Sequence, residues 1–401
     1  MTFPLRAAVT AALVAISLPI PGSAAPAAGP FRVGDAVLEP VDPATLPGFP
    51  GADPAASLAA FRRTCLAATP AAQPATVTGS ATDLAAACAR AAATPEAEAA
   101  RFFTDAFGAY RIVRPALDGA PERRTGFLTG YFEPELTGSP GPAPGFSAAV
   151  LARPDDLVSL EPGETRPGLD PTLRAARRVG DAFEAYPDRA AIEDGALGAR
   201  ARPLLYLRDA VDLFVLQVQG SGRVRLPDGR SVRVLYDGRN GRPYTSIGKL
   251  IVSEGHLPLE GLTLARWTGW LRANPEPARR LMRANASYIF FRLAEITDPA
   301  LGPPGAAGVP LAPSRNLAVD ATLWRYGLPF WLDGRIAGDP APGRLVVAAD
   351  TGSAIVGPAR GDLYVGTGAE AGIRAGNLRD AVGFIVLLPK PVAAPEAPST
   401  P

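Results

Sequence analysis

The chain has 401 residues, of which 47% are apolar and 20% are charged, so it can bury one large hydrophobic core or two of medium size. A formal net charge of +1 predicts no general attraction to nucleic acid or to anionic lipid. One histidine, His256, and two cysteines cannot supply a His/Cys zinc site, and a Ser-His-Asp enzyme would depend on His256 alone. These counts favour carboxylate chemistry with no metal or other cofactor.

The first segment, residues 1–24, has the order of a secretory signal peptide. Arg6 precedes an apolar run over 7–20, and small residues follow up to Ala24. A short membrane anchor is the alternative, but the run is shorter than the roughly 20 residues that a spanning helix needs. We therefore expect an exported protein. Because the first cysteine is Cys65, no cysteine is placed to carry an N-terminal lipid.

Export changes the interpretation of the two cysteines. Cys65 and Cys88 lie in Ala-rich segments, 54–68 and 81–93, that are typical of helices. In an oxidising compartment they can form a disulfide, and two buried free thiols are the alternative. Either way we expect a structural role.

Hydrophobic periodicity predicts a mixed pattern of helices and strands up to residue 292. Helices are predicted within 54–68, 81–93, 96–107, 245–254, 263–273 and 279–284. Strands are predicted at 124–132, 204–218, 223–236 and 288–291, with a hairpin turn at Pro227-Asp228-Gly229.

The C-terminal part is predicted to be a small β barrel. A Pro/Gly-rich loop over 296–317 precedes a series of short β segments spaced by Gly and Pro. These segments are 318–320, 329–332, 344–349, 362–365 and 381–388. The Pro/Ala/Ser-rich tail, 391–401, is expected to be disordered.

Three aspartates in this part are the first candidates for chemistry. Asp320, Asp350 and Asp362 each lie at the end of a short β segment or just inside it. A barrel can bring such residues to one cleft, where apolar surroundings make a carboxyl group a proton donor near neutral pH. The alternative is that all three cap turns.

Two other motifs overlap this region. Asp350-Thr351-Gly352-Ser353 resembles the active-site turn of an aspartic protease, but that mechanism needs a second such turn and the chain has none. The glycines at 366, 368 and 372 resemble a dinucleotide loop, yet the acidic residue required some 20 positions later would fall in the tail. We interpret these glycines as tight turns beside a ligand.

Further upstream, two motifs suit a ligand rich in hydroxyl groups. They are Thr129-Gly130-Tyr131-Phe132 and the segment 217–222, which contains Gln219 and Ser221. A half-buried strand and a Gly-permitted bulge are the structural alternatives. Tyr244 and Ser246 form a third candidate, in which Ser246 could simply cap a helix.

The order of the motifs carries a resemblance. TGYFEPELTGS (129–139), LQVQGSGRVRLPDG (216–229), YDGRNGRPYTSIGKLIVSEG (236–255), NASYIFFR (285–292), VPLAPSRNLAVD (309–320) and AADTGSAIVGPARGDLYVGTGAEAGIRAG (348–376) follow one another. This succession resembles the membrane-bound lytic murein transglycosylase A family, and its last part resembles the three-aspartate (3D) domain of that family. The resemblance covers about 55–390.

The resemblance implies a mainly β fold with peripheral helices. A double-psi β-barrel domain would be formed by 25–136 and 293–390, with a smaller β domain inserted at 137–292 and the glycan bound between the two.

The resemblance also implies the activity. The family cleaves the β-1,4 bond between N-acetylmuramic acid and N-acetylglucosamine without water, leaving a 1,6-anhydro end. By motif match Asp362 is the single acid/base, Asp350 orients or polarises the site, and Asp320 ranks third. Thr129, Tyr131, Gln219, Ser221, Tyr244 and Ser246 are the expected substrate-binding residues.

The implied surroundings are the periplasm, peripheral to the outer membrane. The expected partners are peptidoglycan strands, with cell-wall synthesis or division proteins as further partners, and the chain is expected to be a monomer. Two departures stand out: no cysteine can carry a lipid anchor, and Ser353 replaces the second glycine of the family's Asp-Thr-Gly-Gly turn. A non-catalytic glycan-binding protein, a hydrolase and an aspartic protease are the alternatives.

Overall fold

The structure, a computed structural model, describes residues 29–67, 73, 78–117, 119–161 and 164–391. The expected signal peptide and all but the first residue of the expected tail lie outside these ranges. The strands are β1 (Phe31–Val33), β2 (Ala36–Val41), β3 (Phe107–Val113), β4 (Gly126–Glu133), β5 (Glu135–Ser139), β6 (Ala148–Leu151), β7 (Leu157–Ser159), β8 (Ala175–Val179), β9 (Ala182–Ala185), β10 (Pro203–Leu207), β11 (Ser221–Arg225), β12 (Ser231–Arg239), β13 (Ile289–Ala294), β14 (Asn316–Ala318), β15 (Pro329–Asp333), β16 (Gly343–Asp350), β17 (Arg360–Thr367) and β18 (Arg379–Pro389). The α-helices are α1 (Pro54–Cys65), α2 (Ala81–Ala93), α3 (Ala99–Ala106), α4 (Arg189–Glu193), α5 (Ala210–Gln219), α6 (Ile247–Ser253), α7 (Leu264–Ala273), α8 (Pro275–Ala284) and α9 (Gly368–Asn377). The fold is therefore mainly β, with helices around the sheets.

The largest sheet closes on itself. Its order is β1-β2-β3-β18-β15-β16-β14-β17-β4, and β4 also pairs with β18, so six strands from β18 to β4 form a ring. The eleven-residue β18 makes this closure, because successive parts of it pair with β4, β15 and β3.

The ring strands are apolar on both faces. Alternate residues such as Val346 and Ala348 or Phe384 and Val386 belong to one buried cluster. The residues between them, such as Val347 and Ile385, belong to a second cluster beneath α1, α2 and α3. Since successive side chains of a strand point to opposite faces, burial of both faces explains the nearly continuous apolar runs of this region.

A second unit is formed by the segment between β4 and β14. Its six-stranded sheet has the order β13-β12-β11-β5-β10-β6, and a three-stranded sheet, β7-β8-β9, lies beside it. The helices α5 to α8 pack into a separate apolar cluster of this unit. We call this segment the insert and the closed sheet the ring.

The strand predicted over 204–218 is wrong in its second half. Only β10 is extended, and α5 follows it. The Asp209 carboxylate accepts a hydrogen bond of 2.8 Å from the Asp212 N–H at the start of α5, and Gly220 ends the helix with φ of 81°. Because α5 is buried on almost every side, its apolar residues leave no polar stripe from which the helical period could be detected.

A second helix, α9, was not predicted. It begins at Gly368, within the segment interpreted as turns beside a ligand, and that interpretation is wrong for Gly372. This glycine lies inside the helix, where an added Cβ would come 2.8 Å from the ring of Phe132. Its role is therefore close packing of α9 on β4, and that packing offsets the low helix propensity of the glycines.

The predicted turn at 227–229 is confirmed, since it joins the antiparallel strands β11 and β12. Cys65 and Cys88 are joined by a disulfide between the end of α1 and the middle of α2. None of the described helices is long and apolar enough to cross a membrane.

Candidate active site

The register of three ring strands places two aspartates on either side of Ala318. Ala318 of β14 lies opposite Asp350 of β16 on one side and opposite Asp362 of β17 on the other. With neighbouring strands about 4.8 Å apart, the Cα atoms of the two aspartates are roughly 10 Å apart across the sheet, and the Ala318 methyl group lies between them. The small Ala318 side chain leaves open space above this point.

Asp362 is held by the neighbouring strand β4. Thr129 lies opposite it in the parallel pairing, and the Thr129 hydroxyl donates a hydrogen bond of 2.6 Å to Asp362 Oδ1. Burial raises the pKa of Asp362 to about 6, and the negative charge of Asp350 adds to the rise, whereas Thr129 and the Arg360 guanidinium oppose it. Near neutral pH this carboxyl group can therefore both give and accept a proton.

Asp350 is bound by three donors. The Tyr131 hydroxyl donates to Oδ2 at 2.7 Å, and the N–H groups of Ala306 and Thr351 donate to Oδ1 at 2.9 Å each. Burial raises the pKa of Asp350, and these hydrogen bonds oppose the rise. All three bonds favour the ionised form of this carboxyl group.

A cavity of about 300 Å³ opens above the two aspartates, between the ring and the insert. The ring contributes Tyr131, Asp350, Arg360, Asp362 and the segment 351–355. The insert contributes polar side chains and one aromatic ring, namely Arg189, Gln217, Gln219, Tyr244, Asn285 and Ser287. Carboxyl groups thus face amides and hydroxyls across one cleft. Among the described residues no group of three or more His, Cys, Asp or Glu side chains could hold a metal ion.

Several of the residues singled out from the sequence meet at this cleft. Tyr131, Gln219 and Tyr244 line it, and Thr129 reaches it through Asp362. The Gln219 side chain also accepts a hydrogen bond of 3.2 Å from the Phe132 N–H, which ties the end of α5 to β4.

Three other candidates do not line the cavity. Asp320 is buried, and its two oxygens bind the Thr322 N–H and hydroxyl and the Gly357 N–H, so it fixes two turns. Ser221 is buried at the start of β11. Ser246 caps α6 by accepting a hydrogen bond of 3.4 Å from the Lys249 N–H.

Sequence reasoning did not single out Arg189. Its side chain is almost fully buried, and the guanidinium donates to the Gln217 side chain and to the carbonyls of Asn285 and Ser287. The same group lies 4.8 Å from the ring of Phe214 and 5.2 Å from that of Tyr288. Arg189 therefore holds the insert side of the cleft together. Its partners are brought together only by the fold, so the local sequence gave no signal for it.

Comparison with known proteins agrees with this arrangement. The model of the MltA-specific insert domain matches residues 127–292, and the model of the 3D domain matches residues 315–388. A crystal structure of membrane-bound lytic murein transglycosylase from Agrobacterium tumefaciens is 32% identical, with a TM-score of 0.77, over 88% of this chain and 97% of that chain. The chain belongs to the membrane-bound lytic murein transglycosylase A family.

Other members of the family show the same relationship. A crystal structure of MltA from Neisseria gonorrhoeae is 31% identical, with a TM-score of 0.71, over 92% of this chain and 98% of that chain. Membrane-bound lytic murein transglycosylase A of Vibrio cholerae is 34% identical over 204 residues, which are 48% of this chain. That alignment spans about half of the Vibrio cholerae protein, 53% of its length.

Proposed function

We propose that this protein is a peptidoglycan lytic transglycosylase with Asp362 as its single acid/base. It would cleave the β-1,4 bond between N-acetylmuramic acid and N-acetylglucosamine and leave a 1,6-anhydro end. The observation that carries the proposal is the position of Asp362, which lies at the cleft between ring and insert with a pKa raised to about 6. The names of its relatives support the substrate class.

In the first half of the reaction Asp362 acts as an acid. Its proton passes to the glycosidic oxygen as the bond from that oxygen to C1 of the muramic residue breaks, and N-acetylglucosamine leaves with a free hydroxyl. Positive charge develops at C1 in the transition state. Asp350, ionised beside Asp362, stabilises that charge through space.

In the second half Asp362 acts as a base. The C6 hydroxyl of the same muramic residue attacks C1, and its proton returns to the Asp362 carboxylate as the C1–O6 bond forms. No water enters, so one titrating carboxyl group suffices where a hydrolase needs two. Attack within one sugar ring also has a large effective concentration, which removes much of the entropic cost of bringing the reactants together.

The polar side chains on the insert side would bind the sugar hydroxyl and acetamido groups. Gln219, Asn285 and Ser287 offer donors and acceptors, while Tyr244 presents a ring that is 36% exposed and can stack on a sugar face. Ser353 would narrow the cleft relative to a glycine at this position of the turn.

The remaining parts of the proposal concern architecture and location. A double-psi β-barrel domain would be formed by 25–136 and 293–390, around a smaller β domain inserted at 137–292. Residues 1–24 would direct export to the periplasm, where the monomeric protein would act on glycan strands.

Digestion of purified sacculi tests this function. We would compare the wild type with Asp362→Asn and with the exposed control Asp181→Asn, in ordinary water and in H₂¹⁸O, and weigh the released muropeptides. The expected products are one water lighter than hydrolysed ones, carry no ¹⁸O, appear with the control and are absent with Asp362→Asn.

Each other outcome points to a specific alternative. Products that carry ¹⁸O would identify a hydrolase. Binding of sacculi without cleavage by the wild type would identify a glycan-binding protein. Activity that persists in a folded Asp362→Asn protein would move the acid/base role to Asp350.

A further inference from the structure

We infer that Arg360 is a positioning residue that fixes which oxygen of Asp362 holds the reactive proton. This inference rests on the proposed function of Asp362 and adds to it a residue that the resemblance does not assign.

The strand register puts four side chains in one patch. Arg360 and Asp362 are two residues apart on β17 and therefore point to the same face of the strand. Phe127 and Thr129 lie opposite them on β4. Arg360 thus lies beside Asp362 on that face, and both line the cleft.

The direction of the hydrogen bonds follows from the donor inventory. Arg360 Nη2 lies 2.8 Å from the Thr129 hydroxyl oxygen, and a guanidinium can only donate. The Thr129 oxygen must therefore accept from Arg360, which leaves its single proton free for Asp362 Oδ1, 2.6 Å away. With Oδ1 occupied as an acceptor, the proton of neutral Asp362 belongs on Oδ2.

Arg360 is itself well held. Its guanidinium carbon lies 5.1 Å from the centre of the Phe127 ring, and Nη1 contacts the carbonyl oxygens of Phe127 and Gly361. The side chain is partly buried, which lowers the pKa of Arg360 from its usual value. These contacts fix the fork of the guanidinium, so the hydroxyl of Thr129 has one preferred direction.

Several charged or titratable groups surround Asp362. Asp350 on β16 raises the pKa of Asp362, whereas Arg360 lowers it. Tyr131 on β4 binds Asp350, and its pKa lies well above its usual value because of burial and of these carboxylates. Arg189 of the insert lines the same cleft. Loss of Arg360 removes a positive charge near Asp362 and leaves the Thr129 hydroxyl free to turn away from the carboxyl group. Both effects should raise the pKa of Asp362.

The direct test is titration of the Asp362 carboxyl carbon by ¹³C NMR, with Asp362→Asn to assign the resonance. Arg360→Gln should raise the Asp362 pKa by roughly 0.5–1 unit, as expected for loss of one nearby opposite charge at a partly exposed site. Arg360→Lys keeps the positive charge and one donor, so the Asp362 pKa of this variant should lie close to the wild-type value. The control Arg374→Gln, on the exposed side of α9, should leave the titration unchanged.

Activity gives a second readout. The alkaline limb of the pH profile of kcat/KM on sacculi should move to higher pH in Arg360→Gln, by the same interval as the Asp362 titration. At pH 5 Asp362 is protonated in both proteins. There kcat should fall several-fold in Arg360→Gln, because the proton is no longer fixed on Oδ2. A folded Arg360→Gln protein with an unchanged Asp362 titration, or with an unchanged kcat at pH 5, would overturn the inference.

The two proposals fail in different ways. The titration needs no substrate, so it tests the role of Arg360 even if the wild type does not cleave sacculi. Wild-type inactivity with a shifted titration would overturn the proposed function and leave the hydrogen-bond arrangement standing.

Discussion

Replacement of Glu133 by glutamine should strongly destabilise the protein. Glu133, the last residue of β4, is fully buried where the ring meets the insert. It accepts a hydrogen bond of 2.8 Å from Arg223, two of 2.7 and 3.2 Å from Arg233, and one of 2.9 Å from the Thr367 hydroxyl. Both arginines are also buried, and among the described residues each forms its ion pair with this carboxylate.

The magnitude follows from the charges that remain. The native cluster has one negative and two positive groups, so Glu133→Gln leaves two buried guanidinium groups without a counter-charge. Breaking a buried ion pair in this way costs about 3–5 kcal/mol, and we expect the upper part of that range. Arg233→Met leaves a neutral Glu133–Arg223 pair and should cost only about 2 kcal/mol, mainly for lost hydrogen bonds.

Urea denaturation measures both variants in one assay. Trp324 and Trp331 are buried in the ring unit and Trp267 and Trp270 lie in α7 of the insert, so tryptophan fluorescence reports on both units. The unfolding midpoint should fall for both variants, and further for Glu133→Gln. Glu254→Gln, which breaks an exposed pair with Arg280, should leave the midpoint unchanged. If Arg233→Met proved as destabilising as Glu133→Gln, the charge argument would be refuted.

Two further predictions concern stability. The disulfide of Cys65 and Cys88 closes a loop across 23 positions, so replacing both by serine should lower the free energy of unfolding by about 3 kcal/mol; an unchanged urea midpoint relative to the oxidised wild type would contradict this. The raised pKa of Asp362, about 6 against about 3.9 in the unfolded chain, means that the folded state binds more protons, so its stability falls as pH rises from about 4 to 6. The change in the free energy of unfolding caused by Asp362→Asn should therefore be more favourable at pH 7.5 than at pH 4, by about 1–3 kcal/mol after allowance for partial exposure. Asp181→Asn is the control, and an Asp362→Asn effect that does not change with pH would count against the raised pKa.

Much of the ring could be predicted from the sequence, because its strands carry local signals. The segments over 329–332, 344–349 and 381–388 are β-branched and apolar, and each lies within a strand of the structure. The helix prediction over 81–93 agrees with α2 for the same reason, since its Ala-rich sequence favours a helix regardless of context. The helix α5 was predicted wrongly because burial on almost every side removed the helical period of its apolar residues. The helix α9 was not predicted because its glycine at 372 is explained only by packing against Phe132.

The sequence by itself determined which residues could do chemistry. With one histidine and two cysteines available, it pointed to carboxylates, and the order of motifs pointed to Asp362 and to the family. Only the tertiary structure decided which aspartates share a cleft. Asp350 and Asp362 flank Ala318 through strand pairings, whereas Asp320 binds the turns around Thr322 and Gly357. The contacts of Arg189 with Asn285 and Ser287, and of Arg360 with Thr129, likewise depend on the fold, because these partners lie far apart along the chain.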